Sequence, residues 1–274
     1  DFVFFIFHFM YSPFKLATKY LQYYSSAYNS NGHGMHSPFV FEFITKVLND
    51  KTKYPAYQAV ENLRKQLLKD QSILTVEDFG AGSAVDKTNQ RTIASIAKNA
   101  AKPAKFGQLL YRIVKHYQPQ IILELGTSLG ITTFYLSLAK PDAKLISMEG
   151  AAAIAAVARQ NSKALKLQNI SIREGNFDQT LSSVISELSS VDLAFIDGNH
   201  RRKPTENYFS QLLPATNNDS ILIFDDIHWS NEMEQAWETI KQHPSVRCTI
   251  DLFFIGIVLF RQEFKEKRHF SIRF

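Results

Sequence analysis

Two short stretches could do acid chemistry together. FIDGNH (195–200) and FDDIHWS (224–230) each run from apolar residues straight into aspartate. Asp197, Asp225 and Asp226 are therefore three carboxylates at the ends of strand-like segments. Like charges gathered at one point are costly without a cation or a shared proton. An all-oxygen set suits Mg²⁺, Mn²⁺ or Ca²⁺ rather than zinc. The open alternative is that Asp197 and Asp225 only end their strands and touch a cofactor, with no metal. His200 follows Asp197 by three residues and suits a general base near neutral pH; otherwise it is a helix-start histidine hydrogen-bonded nearby. His228, in the second stretch, is a candidate substrate contact.

A second constellation could hold a nucleoside. ILELGTSLGITT (122–133) is apolar, then acidic, then glycine-rich. Glycine permits positive φ and lets a ligand approach the backbone. A ribose diol needs a carboxylate at the end of the next strand, about 20 residues on. Glu149, closing KLISME, stands at that distance from Gly130. The similar-looking LTVEDFGAGSAV (74–85) has neither acid nor strand there, so its DFGAGS turn is a decoy or has another task. Gly126 and Gly130 do not have the G-x-G-x-x-G spacing of a dinucleotide turn. Glu124, in front of the turn, would repel a pyrophosphate. A cationic, phosphate-free nucleoside fits the charge: S-adenosylmethionine, with its ammonium and sulfonium. An NAD-type enzyme is the weaker alternative.

These residues need elements to position them. After residue 119, apolar runs of strand length alternate with amphipathic segments. The strands are expected at 120–125, 143–148, 169–173, 191–197 and 220–225. Helices are expected at 130–139, 151–163, 178–188, 204–213 and 231–242, with Asn231 and Glu234 as a capping box on the last. VRCTIDLFFIGIVLFRQEF then reads as two antiparallel strands around Ile255-Gly256. Strands apolar on both faces and separated by helices imply a parallel sheet covered on both sides. The expectation is an α/β fold: a doubly wound, seven-stranded, mostly parallel sheet whose turns after Leu125, Met148, Asp197 and Asp225 line one cleft. Residues 1–104 form a mainly helical extension or lid, with helices near 12–28, 37–48 and 56–69; residues 105–274 form the ligand-binding domain.

Residues 105–262 resemble the class I S-adenosylmethionine-dependent methyltransferases, and within them the catechol and caffeoyl-coenzyme A type O-methyltransferases. AKFGQLLYRIVKHYQPQIILELGTSLGITT (104–133) is similar to that group's lead-in helix and first motif. The resemblance implies that Glu124, Gly126, Thr127, Ser128 and Gly130 surround the methionine part of the cofactor, with Thr132 near its carboxylate. It implies Glu149 on the ribose and, through EGNFDQTL (174–181), Asn176 and Phe177 at the adenine edge. Lys105 and Phe106 border the cofactor. Relatives place a divalent metal on an Asp after the fourth strand and an Asp-Asn pair after the fifth; here that pair is Asp225-Asp226. His200 stands where they carry a catalytic Lys, and Asp197 serves both metal and cofactor. The implied reaction is metal-assisted O-methylation of a small hydroxylated acceptor; a metal-free enzyme acting on nitrogen or RNA is the alternative.

Bulk composition narrows the field. The chain has 274 residues, a net charge of +5 and one cysteine. The basic clusters HRRK (200–203) and KEKRH (265–269) are short and lack aromatic partners, so solvated surface is a better reading than a nucleic-acid partner. A single Cys248 excludes an internal disulfide and thiolate zinc sites, and points to a reducing, cytoplasmic setting. DFVFFIFHFMY (1–11) is too short to span a bilayer, which takes about 20 residues. It reads as a buried segment or one packed on a partner, with contact to a membrane surface or a homodimer mate as the alternatives. His33 and His36, in HGMHSPF, belong to a loop over the acceptor.

Overall fold

The computed structural model describes residues 10–30, 32, 37–76, 89–100 and 102–274. In chain order, helices α1 (Pro13–Ser26), α2 (Pro38–Glu42) and α3 (Pro55–Leu67) precede a short strand pair, β1 (Ile73–Thr75) and β2 (Gln90–Thr92). Helices α4 (Ile93–Ala100) and α5 (Ala104–Tyr117) follow. Strand and helix then alternate: β3 (Ile121–Leu125), α6 (Ile131–Ala139), β4 (Lys144–Glu149), α7 (Ala152–Ala164), β5 (Ile170–Glu174) and α8 (Phe177–Ser186). The pattern continues through β6 (Leu193–Ile196), α9 (Arg202–Leu212), β7 (Ile221–Asp225) and α10 (Asn231–Gln242). Strands β8 (Cys248–Asp251), β9 (Ile255–Leu259) and β10 (Arg268–Ser271) complete the described elements. The main sheet has eight strands among the described residues and is mostly parallel. The chain forms two compact units, one of residues 37–76 and 89–179, the other of residues 10–30 and 180–274.

In the first unit β3, β4 and β5 run parallel, in that order. Most residues of β3 and β4 are buried, as continuous apolar runs require. Their register sets Glu124 opposite Ser147. Helix α5 crosses α6 closely at Gly107, where a Cβ would lie 2.4 Å from the Tyr135 ring. The Tyr135 hydroxyl donates to Glu61 on α3 at 2.8 Å, and Arg64 meets the same carboxylate oxygen at 3.1 Å. Helix α2 widens into a π-helical turn, Phe43–Leu48, that buries Phe43, Ile44, Val47 and Leu48. Buried Arg112 donates to the Val47 carbonyl at 2.7 Å, satisfying an acceptor that a helix end leaves open.

In the second unit β6 and β7 are parallel, β9 lies antiparallel beside β7, β8 antiparallel beside β9, and β10 parallel beside β8. The expected antiparallel pair is present. Its turn falls at 252–254, because Ile255 and Gly256 already pair with Asp225 and Phe224. The expected seven strands become eight through β10. That strand reads Arg-His-Phe-Ser and is exposed or half-buried throughout, so no apolar run announces it. Helix α1 begins at Ser12-Pro13 as its sequence suggests, with Ser12 Oγ accepting the Lys15 N–H at 3.3 Å. It packs Leu16, Tyr20, Tyr23 and Ala27 against Phe253 and Phe254. Helix α10 is capped one residue earlier than expected: Ser230 Oγ accepts the Met233 N–H at 3.1 Å, which leaves the Glu234 carboxylate for other partners. Cys248 is buried, and burial pushes its thiol up to about 12, as an inert thiol requires. His33, His36 and the DFGAGS turn lie outside the described residues. Among the described residues no helix is long and apolar enough to cross a membrane.

Candidate functional site

The glycine turn of the first unit leaves β3 at Leu125. Gly126 has φ +108°, Ser128 +48° and Gly130 +91°, so the chain turns through left-handed conformations that glycine tolerates best. At Gly130 a Cβ would also stand 2.3 Å from the Phe134 ring. The N–H groups of Gly126 and Thr127 donate to the Met148 carbonyl at 3.0 and 3.1 Å, anchoring the turn to the end of β4. Glu149 closes that strand. Its Oε2 accepts the Ser128 N–H at 2.8 Å and its Oε1 the Ala151 N–H at 3.0 Å. The two features that the sequence joined by spacing are thus hydrogen-bonded to each other.

Glu124 is fully buried. Its Oε2 accepts the hydroxyls of Thr133 and Ser147, each at 2.5 Å, and Thr127 Oγ1 lies 2.5 Å from Ser147 Oγ. The acid in front of the turn is therefore held by two hydroxyls, and Thr127 reaches it only through Ser147. Thr132, the threonine singled out by the sequence, is half-buried at the start of α6, whereas its neighbour Thr133 meets the acid. Sequence reasoning missed Thr133 and Ser147. The signal for Ser147 is a lone hydroxyl inside an apolar strand; the β3–β4 register completes it. Asn176 and Phe177 are half-buried at the start of α8, where Asn176 Oδ1 accepts the Asp178 N–H at 2.9 Å. Phe106 is buried, and the Lys105 ammonium stands 4.8 Å above its ring; burial lowers the Lys105 pKa.

In the second unit, Asp197 follows β6 and Asp225 ends β7. Ligand atoms of Asp197, His200 and Asp225 all lie within 4.8 Å of one another. His200 Nε2 is 3.3 Å from Asp197 Oδ1. Asn199 and His200 have φ of +68° and +35°, strain of the kind that gathers at functional sites. Asp225 is 1 % exposed, while Asp197 and His200 are half-buried. Asp226, also left-handed at φ +54°, is not one of the three. The group holds two of the three expected aspartates, Asp197 and Asp225, together with His200. Those donors fit a divalent cation. The imidazole tilts the choice from Mg²⁺ and Ca²⁺ toward Mn²⁺ or another transition ion. His228 takes no part: both its ring nitrogens are engaged by carboxylates, which argues against a direct substrate contact.

Part of the chain is similar to known proteins. Residues 123–227 match the family described as a methyltransferase domain. A catechol O-methyltransferase from Niastella koreensis is 30% identical over 145 residues, which is 51% of this chain. The chain spans only 63% of that relative's length. Among solved structures, the SAH-bound methyltransferase of Podospora anserina superposes with a TM-score of 0.57 at 13% identity, covering 79% of this chain and 92% of that one. An O-methyltransferase from Bacillus cereus in complex with SAH gives 0.53 at 19% identity, covering 81% and 97%. Residues 123–227 are thus similar to a methyltransferase domain, and the chain has the Rossmann-like fold of the O-methyltransferase structures it resembles.

Proposed function

We propose that the chain transfers the methyl group of S-adenosylmethionine to a hydroxyl oxygen of a small acceptor, with a divalent cation assisting. The observation that carries this reading is the bond from the Ser128 N–H to Glu149 Oε2 at 2.8 Å, which ties the glycine turn to the strand-end acid. In this reading Gly126, Thr127, Ser128, Gly130 and Thr132 surround the methionine portion of the donor. Glu124, held by Thr133 and Ser147, supplies negative charge toward its cationic end. Glu149 takes the ribose diol, and Asn176 and Phe177 border the adenine. Residues 1–104 serve as the helical extension that shapes the acceptor pocket, and residues 105–274 as the catalytic domain. The single cysteine supports a cytoplasmic setting.

Methyl transfer is an in-line displacement at a carbon that the sulfonium already activates. The protein's task is to place the acceptor oxygen and help it lose a proton. Asp197, His200 and Asp225 would hold the cation, with Asp226 as a further candidate. A bound divalent ion lowers the pKa of a hydroxyl beside it. A second reading is favoured by the Asp197–His200 contact at 3.3 Å: without a cation, Asp197 orients the imidazole and His200 takes the proton. That step would contribute about 10²–10⁴-fold. The test is transfer of labelled methyl from S-adenosylmethionine to a panel of catechol-like acceptors, with Mn²⁺ and then with EDTA. Mn²⁺-dependent transfer supports the first reading. Transfer that survives EDTA and disappears in His200→Ala supports the second. The absence of transfer under every condition contradicts both.

A further inference from the structure

His228 lies inside the second unit with both ring nitrogens engaged. Nδ1 is 3.0 Å from Glu234 Oε1 and Nε2 is 2.8 Å from Asp251 Oδ2. The ring stacks on Phe253, with centroids 5.1 Å apart. Burial opposes its charge, but the hydrogen bonds to Asp251 and Glu234 outweigh burial and raise its pKa to about 9. Below that pH it is an imidazolium donating from both nitrogens. Glu234 extends the network: Tyr11 Oη donates to it at 2.6 Å, and Lys19 Nζ reaches both its oxygens at 2.9 Å. The Tyr11 N–H also donates to the Trp229 carbonyl at 3.2 Å. On the other side, Asp251 Oδ1 accepts the Phe253 N–H at 2.8 Å. Helix α10, through Glu234, and the β8–β9 connection, through Asp251 and Phe253, thus hold the ring of the turn after β7, and Glu234 ties in Tyr11 and Lys19.

That turn is strained. Asp226 sits at φ +54°, a region costly for a residue with a Cβ and kept only where the surroundings over-determine it. The Asp226 N–H donates to the Phe254 carbonyl at 2.7 Å, and the Trp229 N–H closes the turn on the Asp226 carbonyl at 2.9 Å. Asp225, immediately before it, belongs to the group with Asp197 and His200. We infer that His228 is a positioning residue: clamped by Glu234 and Asp251, and tied to the N-terminal segment through Tyr11 and Lys19, it fixes the turn that aims Asp225 at Asp197 and His200. The clamp stands on the geometry alone; its consequence for cation affinity rests on the metal reading above.

The experiment uses the full chain with His228→Gln, Lys19→Met and Lys19→Arg. Hydrogen exchange at the Asp226 and Trp229 amides is measured in metal-free protein. Mn²⁺ affinity is then measured by electron paramagnetic resonance, with S-adenosylhomocysteine affinity as the control. In His228→Gln and Lys19→Met both amides should exchange about tenfold faster. Mn²⁺ affinity should fall about tenfold or more, as it does when residues behind a metal ligand are lost. S-adenosylhomocysteine affinity should not move, and Lys19→Arg should behave as wild type. Unchanged exchange in a folded His228→Gln protein overturns the clamp; if that variant does not fold, unchanged exchange in Lys19→Met does so instead. Faster exchange with unchanged Mn²⁺ affinity overturns the positioning role. Faster exchange in a protein whose wild type takes up no Mn²⁺ upholds the clamp and overturns the metal reading.

Discussion

Glu149 accepts one backbone N–H on each carboxylate oxygen, so its loss should loosen the glycine turn and remove the diol's partner together. A hydrogen bond to a charged group contributes about 1.5–3 kcal/mol. Glu149→Ala should therefore weaken S-adenosylhomocysteine binding by about tenfold to a hundredfold, read by calorimetry. Glu149→Gln should fall between, because its amide presents a donor where one N–H needs an acceptor. Asp225 gives the complementary case: Asp225→Ala should abolish Mn²⁺ uptake while leaving S-adenosylhomocysteine affinity intact. At this scale the sequence identified the acids and glycines, because charge and conformational freedom belong to single residues. It did not reveal Ser147 facing Glu124, since strand register is set by packing. Nor did it choose Thr133 over Thr132, which depends on how α6 is rotated about its axis. The clamp on His228 was equally illegible, since Asp251 is remote from it in sequence and so is Tyr11, which reaches it through Glu234.

Helix and strand contacts give sharper stability tests. Gly107→Ala should destabilise the protein by about 1–3 kcal/mol through overpacking, because the new methyl group would meet the Tyr135 ring at 2.4 Å. Calorimetric melting would check this, and Tyr135→Leu in the same chain should recover part of the loss. The network around Glu234 predicts a pH dependence. Burial opposes its charge, but hydrogen bonds from His228, Tyr11 and Lys19 hold its carboxyl down at about 2, against an ordinary 4.5. A depressed carboxyl contributes stability that is complete above its unfolded pKa and is lost as pH falls through the folded one. The melting temperature of wild type should thus exceed that of Glu234→Gln by a constant margin just above pH 4.5, and the margin should close between about 4.5 and 2. A margin that does not change across that window would show that the carboxylate carries no such linkage. Elements were legible wherever apolar periodicity was long, as in β3, β4, β7 and α10. They were not where pairing alone makes the strand: β10 and β2 have too few apolar residues to signal, and the π-helical turn after α2 differs from an α-helix only in its hydrogen bonds.

For the molecule as a whole, ligand choice is electrostatic. A turn bordered by Glu124 and Glu149 should welcome a cationic, phosphate-free nucleoside and disfavour a pyrophosphate. The methyltransferase-domain match over residues 123–227 supports that proposal. The overall +5 charge does not, since net charge governs steering and solubility rather than the chemistry of one turn. The most direct test is calorimetric titration of the full chain with S-adenosylhomocysteine and, separately, with NAD. The account predicts saturable binding of S-adenosylhomocysteine, weakened in Glu149→Ala, and no measurable heat with NAD. Tight binding of NAD with no response to S-adenosylhomocysteine would contradict it.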